Sequence, residues 1–327
     1  MKQNHRFGAS IIVALLTVSA AFGAEPTVLP TAYRQGQFFA VPELADGRVM
    51  RLLVDTGGGG GDGMYWVTAE MVKSLGLVRG KCEINSESIE VTLIPEFRRG
   101  RGLPDPIGPC RNILVQPVPY PTGMLGATYL SRRTWTFDYP NQRLLLVHGE
   151  FRAPEGARST PMPLKVDEDG DVYSGMPRVT ITVDGQPIDM LLDTGATARP
   201  SAQAIATAAI GTTDGQAAGS YITTSVFNEW HRSHPDWPVL DAGDVLFAAQ
   251  PSRMIRVPGV TIAGWTTGPA WFIERADANF TEFVSAFTDI QVEGAVGGNV
   301  LHSFVMTLDY AHRTAWFSCA IDCKPAT

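Results

Sequence analysis

Two aspartates carry the chemistry this sequence can do. Asp55 ends the apolar run Met50-Arg51-Leu52-Leu53-Val54, and Asp193 ends Met190-Leu191-Leu192; each opens an Asp-Thr-Gly tripeptide, Asp55-Thr56-Gly57 and Asp193-Thr194-Gly195. The runs leading into them, Asp46-Gly47-Arg48 and Asp184-Gly185-Gln186, lie in the same register. A carboxylate at the end of an apolar strand, held in a glycine-bearing turn and present twice, is what a shared-proton aspartate pair needs.

A second match follows each first one. Asp138-Tyr139 follows Met124-Leu125-Gly126 at the same spacing at which Asp309-Tyr310 follows Ala295-Val296-Gly297. Within each spacer a Leu follows the Gly at one matched position (Leu130, Leu301) and a Thr at another (Thr136, Thr307). Anchors recurring in the same order indicate a tandem duplication. The offset between copies is larger at the Asp-Tyr pairs (Asp138 to Asp309) than at the first aspartates (Asp55 to Asp193), so the second copy carries an insertion between its motifs.

The elements that must hold these residues read mostly as strands. Val179-Thr180-Ile181-Thr182-Val183 alternates apolar and polar and runs into Asp184-Gly185, which predicts a hairpin into the strand before Asp193. Arg143–Val147 and Thr314–Phe317 read as buried strands after equivalent turns. Helices are expected over Thr68–Leu75, stopped by Gly76, and over Ser201–Ile210, stopped by Gly211. An amphipathic helix is expected near Phe280–Phe287. The polar segment 149–161, with Pro and Gly and no periodicity, reads as a linker. The expected organisation is a first lobe over 24–148, that linker, and a second lobe over 162–327 with an insertion at about 211–293. The insertion region is rich in aromatics (Trp230, Trp237, Trp265, Trp271), suited to a substrate wall or to a cover for the core.

With these residues in view, the chain resembles the aspartic peptidases, both the single-lobe retropepsin type and the two-lobed pepsin type. The resemblance rests on Asp-Thr-Gly after apolar residues, a later apolar-apolar-Gly and a closing strand, all present twice. It implies an all-β fold of two tandem retropepsin-like β-barrel lobes with few short helices, related by a pseudo-twofold axis. It implies that Asp55 and Asp193 form a catalytic dyad across a cleft. Thr56 and Thr194 would tie the two turns by hydrogen bonds, Gly57 and Gly195 would allow close backbone approach, and Gly126 and Gly297 would underlie the turns. Two carboxylates a few ångströms apart share one proton. The ionised member takes a proton from a water as it attacks a peptide carbonyl, and the protonated member stabilises the developing oxyanion. That chemistry requires no metal and no organic cofactor.

The sequence departs from the family after the tripeptide, where Ala, Ser or Thr is usual. The first copy continues Gly58-Gly59-Gly60-Gly61-Asp62 and the second Ala196-Thr197. The glycine run predicts a flexible first turn. With no hydroxyl at 58 or 196 to donate to the carboxylates, the expected optimum is mildly acidic to near-neutral pH. Tyr65 and Tyr221 are candidate cleft aromatics, with core packing as the competing role.

The N-terminus reads as an export signal: Lys2 and Arg6 precede an apolar stretch from about Ala9 to Phe22, with small residues at Gly23 and Ala24 for cleavage. An uncleaved anchor would need roughly 17–25 apolar residues. Residues 1–23 are therefore assigned to a signal peptide, and the mature chain to the periplasm or extracellular medium with no membrane anchor. No long prosegment is expected between the signal and the first lobe. Without Lys2 and Arg6, 24 basic residues face 33 acidic ones, a net charge of −9, which argues against nucleic acid as a partner. Export favours oxidised cysteines, and proximity pairs Cys82 with Cys110 and Cys319 with Cys323. The competing reading is a four-thiolate zinc site.

Other constellations compete less well. His231, His234 and Asp236 could hold a metal, or could sit in a surface loop bearing Trp and Pro. No Gly-x-Ser-x-Gly elbow is present, and the glycine run lacks the Lys-Ser/Thr of a phosphate loop. The leading expectation is a monomeric aspartic endopeptidase acting on peptides or proteins. The alternatives are a catalytically idle relative that binds peptides or proteins in the same cleft, and a structural secreted β protein.

Overall fold

The computed structural model describes residues 25–84, 86–118, 121–247 and 249–326; the signal segment 1–23 lies outside the described residues. Strands dominate, and among the described residues they form two large sheets that repeat one another, one that both halves share, and a two-stranded ribbon of Thr197–Ala198 with Ala217–Ala218.

In the first sheet the strand before Asp55, Leu52–Val54, lies parallel to Gly123–Leu125, which is antiparallel to Trp66–Thr68. Trp66–Thr68 is parallel to Ile113–Gln116, and the hairpin Arg79–Ile84 with Glu87–Thr92 closes the edge. The second half repeats this order and sense. Gln186–Leu192 is parallel to Gly294–Val296, which is antiparallel to Tyr221–Thr223; Ala270–Arg275 and the hairpin Val239–Asp244 with Ser252–Val257 follow. Registers coincide as well. Leu53 faces Met124 as Leu191 faces Ala295, and Trp66 faces Met124 as Tyr221 faces Ala295.

The shared sheet joins the halves. Thr134–Asp138 with Arg143–Val147 pairs antiparallel to Phe304–Asp309 with Thr314–Cys319. In the central pair Thr136 faces Thr307, its own duplicate, with their Oγ1 atoms 2.7 Å apart. An antiparallel pair in which a residue meets its own copy places the pseudo-twofold axis between those two threonines. Arg158–Pro161, inside the segment read as a linker, adds a strand beside Thr314–Cys319. Beneath the sheets runs one continuous apolar core that takes Phe38, Trp135 and Phe137 from the first half and Phe272, Phe304 and Phe317 from the second.

The repeated Asp-Tyr pairs close turns. Asp138 accepts from the backbone and side-chain nitrogens of Asn141 and from Arg143; Asp309 accepts from the His312 backbone and pairs with its ring.

Helix Ala69–Ser74 is capped by Thr68 Oγ1, and Gly76 follows at φ +57°. Helix Ala202–Ala208 is capped by Ser201 but stops at Ala209, itself left-handed, before Gly211 is reached. Around Phe280 the chain makes a π-helical turn, Asn279–Phe283, and a 3₁₀ turn, Val284–Ala286. A ten-residue helix, Thr224–Ser233, takes in the start of the Trp230–Trp237 stretch that the sequence offered as a metal cluster or a surface loop; Phe227 and Trp230 are its buried face. It follows Tyr221–Thr223 as Ala69–Ser74 follows Trp66–Thr68, so it is the true counterpart of the first helix.

The extra residues of the second half fall in two blocks of nearly equal size. Tyr221 lies farther beyond Asp193 than its counterpart Trp66 lies beyond Asp55, which places about half of the insertion before Tyr221 and the rest after it.

Cys82 is bonded to Cys110 and Cys319 to Cys323, which leaves no thiolate for the zinc reading. The His231, His234 and Asp236 cluster is not assembled. His231 belongs to the helix, while His234 pairs with Asp184 at 3.0 Å and stacks on Trp237; no metal-holding group of His, Cys, Asp or Glu occurs among the described residues.

Candidate active site

The two Asp-Thr-Gly turns meet at the pseudo-twofold axis, and every contact made by one is returned by the other. Asp55 N donates to Leu125 O and Asp193 N to Val296 O, both at 3.0 Å, which seats each turn on its parallel neighbour strand. Thr56 Oγ1 donates to Leu192 O at 2.5 Å and accepts from Thr194 N at 3.0 Å. Thr194 Oγ1 donates to Val54 O at 2.8 Å and accepts from Thr56 N at 3.2 Å. Both threonines are fully buried, so four hydrogen bonds lock one turn against the other where no water competes.

This interlock brings the carboxyl groups face to face. Gly57 N donates to Asp55 Oδ1 at 2.9 Å, and Gly195 N to Asp193 Oδ1 at 3.0 Å. A Cβ on Gly57 would collide with the Asp193 carboxyl, and one on Gly195 with that of Asp55, so each glycine leaves room for the opposite aspartate. Gly126 and Gly297 lie beneath: a Cβ on Gly126 would stand 2.8 Å from Gly58 O, and one on Gly297 2.9 Å from Ala196 Cβ.

Burial raises both carboxyl groups above the ordinary aspartate range, while backbone amides of Gly57 and Gly58 on one side, and of Gly195 and Ala196 on the other, pull them back. For Asp193 the charge of Asp55 adds to the burial. The two carboxyls are close enough to titrate together, so the proton belongs to the pair. Such a pair holds one proton to higher pH than an isolated aspartate.

The glycine run after Asp55 is fastened, contrary to the flexibility expected of it. Gly58 O accepts from Ala127 N at 2.8 Å, Gly59 O from Trp66 Nε1 at 3.2 Å, and Gly60 O from Thr128 Oγ1. Gly60 and Gly61 take φ values of +134° and +66°, which favour glycine. Gly58 has another cause: a Cβ there would strike Met124 Sδ and stand 2.7 Å from Asp55 Oδ2. The second copy has the smaller Ala295 where the first has Met124, and there Ala196 is tolerated. Glycine at 58 and methionine at 124 are thus a matched pair.

Of the two candidate aromatics, Tyr65 is buried edge-on against Tyr129 and belongs to the core. Tyr221 is at the site: its hydroxyl donates to Thr197 O at 2.5 Å and accepts from Thr197 N at 2.8 Å. Its counterpart is Trp66, whose indole holds Gly59, the residue equivalent to Thr197. Sequence reading missed Trp66, although its place in the repeat gives it away once the strand registers are aligned.

Gln37 was also missed. Its side chain, 4% exposed, crosses from the first lobe and donates to Gly195 O at 3.0 Å and Thr197 Oγ1 at 2.7 Å. It follows Gly36, which abuts Gly298, as Met176 follows Gly175, which abuts Ala127.

No protein-family model and no curated protein matches the chain. Among solved structures it is similar to the crystal structure of basic 7S globulin from soybean, at 11% identity and a TM-score of 0.43, over 90% of this chain and 94% of that one.

Proposed function

We propose that the protein is an aspartic endopeptidase whose dyad is Asp55 and Asp193. The observation that carries this reading is the reciprocal interlock of Thr56 and Thr194, which holds the buried Asp55 carboxyl and the partly buried Asp193 carboxyl facing each other. One shared proton leaves one carboxylate ionised. That carboxylate takes a proton from a water placed between the two groups as the water oxygen bonds to the scissile carbonyl carbon. The protonated partner hydrogen-bonds to the carbonyl oxygen as charge develops there. Collapse of the tetrahedral intermediate breaks the C–N bond, and the proton gained from the water passes to the leaving amine. The dyad returns to its starting state, and no metal or organic cofactor enters.

The substrate is a peptide or protein in extended form, and the protein acts as a monomer because both half-sites lie in one chain. The two disulfides, and the lack among the described residues of a helix long and apolar enough to cross a membrane, are compatible with an exported protein. The reading that the cleft binds peptides without cutting them drew its support from the glycine run, which Met124, Trp66 and Thr128 now account for. Exposing a mixed peptide library to the mature protein separates these readings. Cleavage by the wild type, lost in folded Asp55→Asn and Asp193→Asn variants, supports the peptidase; tight binding without cleavage at any pH contradicts it.

A further inference from the structure

Arg275 and Asp244 form the one ion pair among the described residues in which both side chains are less than a tenth exposed, at 7% and 1%, with Nη2 2.8 Å from Oδ2. Desolvating two charges costs about as much as their attraction returns, so such a pair is a poor source of stability. The scaffold does not ask for it either. Strand register aligns Arg275 with Gln116 of the first half, and Asp244 and its neighbour Ser252 with Cys82 and Ile89. A buried ion pair that one half of a duplicated fold carries and the other omits calls for a local cause.

That cause lies in the chain leaving the Asp193 turn, which both partners reach. The Arg275 guanidinium lies over the Tyr221 ring, 4.6 Å from its centroid, and the Tyr221 hydroxyl clips both backbone groups of Thr197. Asp244 Oδ1 accepts from Arg199 N at 2.7 Å, and Val245 N donates to Arg199 O at 2.8 Å. Arg275 Nη1 donates to Ser252 Oγ at 2.8 Å and to Glu274 O at 3.1 Å, which fixes the plane of the guanidinium. Its edge thus serves Asp244 and Ser252 while its face serves Tyr221, a combination that a lysine ammonium does not offer. Thr197 and Arg199 follow directly on Gly195 and Ala196, whose amides point at the Asp193 carboxyl.

We propose that Arg275 is a positioning residue for the dyad: with Asp244 as its counter-ion it holds Tyr221 and the backbone of Arg199, and through them keeps the amides of Gly195 and Ala196 aimed at Asp193. What this positioning serves rests on the peptidase reading; the positioning itself does not.

The test uses the full mature protein. Arg275→Gln combined with Asp244→Asn removes both charges at once, leaving neither buried unpaired, and installs at 275 the residue the first half carries. Arg275→Lys keeps the charge without the plane, and Tyr221→Phe removes only the hydroxyl clip. The readout independent of cleavage is the carbon-13 NMR titration of the aspartate carboxyls, assigned with Asp55→Asn and Asp193→Asn. The upper titration of the dyad should rise by about half a pH unit or more in the double variant and in Tyr221→Phe, because slack amides stabilise the carboxylate less, with Arg275→Lys in between. Against a library-selected peptide the double variant should lose about tenfold in kcat with KM within about twofold, the pattern of a lost alignment in the transition state. Val257→Ala truncates the core at the open end of the same hairpin and should lower Tm while moving neither readout. A dyad titration that stays in place when the ion pair is removed, or that Val257→Ala moves as far, overturns the proposal. Should the double variant not fold, Arg275→Lys decides in the same way. Absence of cleavage by the wild type counts against the peptidase reading alone and leaves the titration as the test of positioning.

Discussion

At the scale of single residues, the dyad is held by small differences between two nearly identical half-sites. Gly58 and Met124 fill one half where Ala196 and Ala295 fill the other. Gly58→Ala alone should therefore destabilise the protein by about 1–3 kcal/mol through overpacking, and adding Met124→Ala should recover most of the loss, both read as Tm. Failure of the second substitution to rescue the first would mean that Asp55, not Met124, excludes the side chain. The paired carboxyls also set a pH dependence. Between the ordinary aspartate pKa of about 4 and their raised folded values, the native protein keeps a proton that the unfolded chain has lost, so stability falls as pH rises through that window. Asp289 and Glu274 act the other way: burial opposes their ionisation, but Arg178 and Arg253 outweigh it and hold them low, so stability is lost as pH falls through their folded values. Comparing Tm against pH for the wild type and Asp193→Asn isolates the dyad: the variant should lose less stability from about pH 4 to 7. Parallel curves would contradict a raised pair.

At the scale of elements, Asp55 and Asp193, the strands leading into them and the hairpin over Val179–Val183 were legible because a repeated motif gives two readings of one pattern. The helix Thr224–Ser233 was not, because its buried face rests on two side chains, Phe227 and Trp230, too few to set a periodicity. Gln37 and Trp66 were illegible for a different reason: the role of Trp66 depends on strand register and that of Gln37 on the opposite lobe, and no local pattern encodes either. The flexibility assigned to the glycine run failed because glycine there answers to crowding and positive φ. Disulfides mark the edges of the same elements. Cys82–Cys110 closes a sequence separation of 28 and ties the outermost strand Arg79–Ile84 to the approach to Ile113–Gln116, whereas Cys319–Cys323 closes one of only 4. Loop-closure entropy then predicts that replacing Cys82 and Cys110 by Ala costs about 2–4 kcal/mol and lowers Tm more than replacing Cys319 and Cys323. Equal losses would point to packing around the bridges instead.

At the scale of the whole molecule, the halves resemble separate lobes in sequence but share a sheet and a core. Thr134–Asp138 needs Phe304–Asp309 as its neighbour, and residues of both halves fill one apolar cluster. Residues 24–148 expressed alone should show no cooperative unfolding by calorimetry, and mixing with 162–327 should restore it. A first half that melts cooperatively alone would show the shared sheet to be dispensable. The same union makes the site: each Asp-Thr-Gly turn completes its hydrogen bonds only on the other. The most direct test is therefore the pH–rate profile for cleavage of one library-selected peptide by the wild type, Asp55→Asn and Asp193→Asn. A shared-proton dyad predicts a bell with its optimum between about pH 4 and 7, and losses of at least about a hundredfold in each variant at every pH. A variant that keeps its rate, or a wild-type optimum below about pH 3, under the ordinary aspartate value, would contradict it.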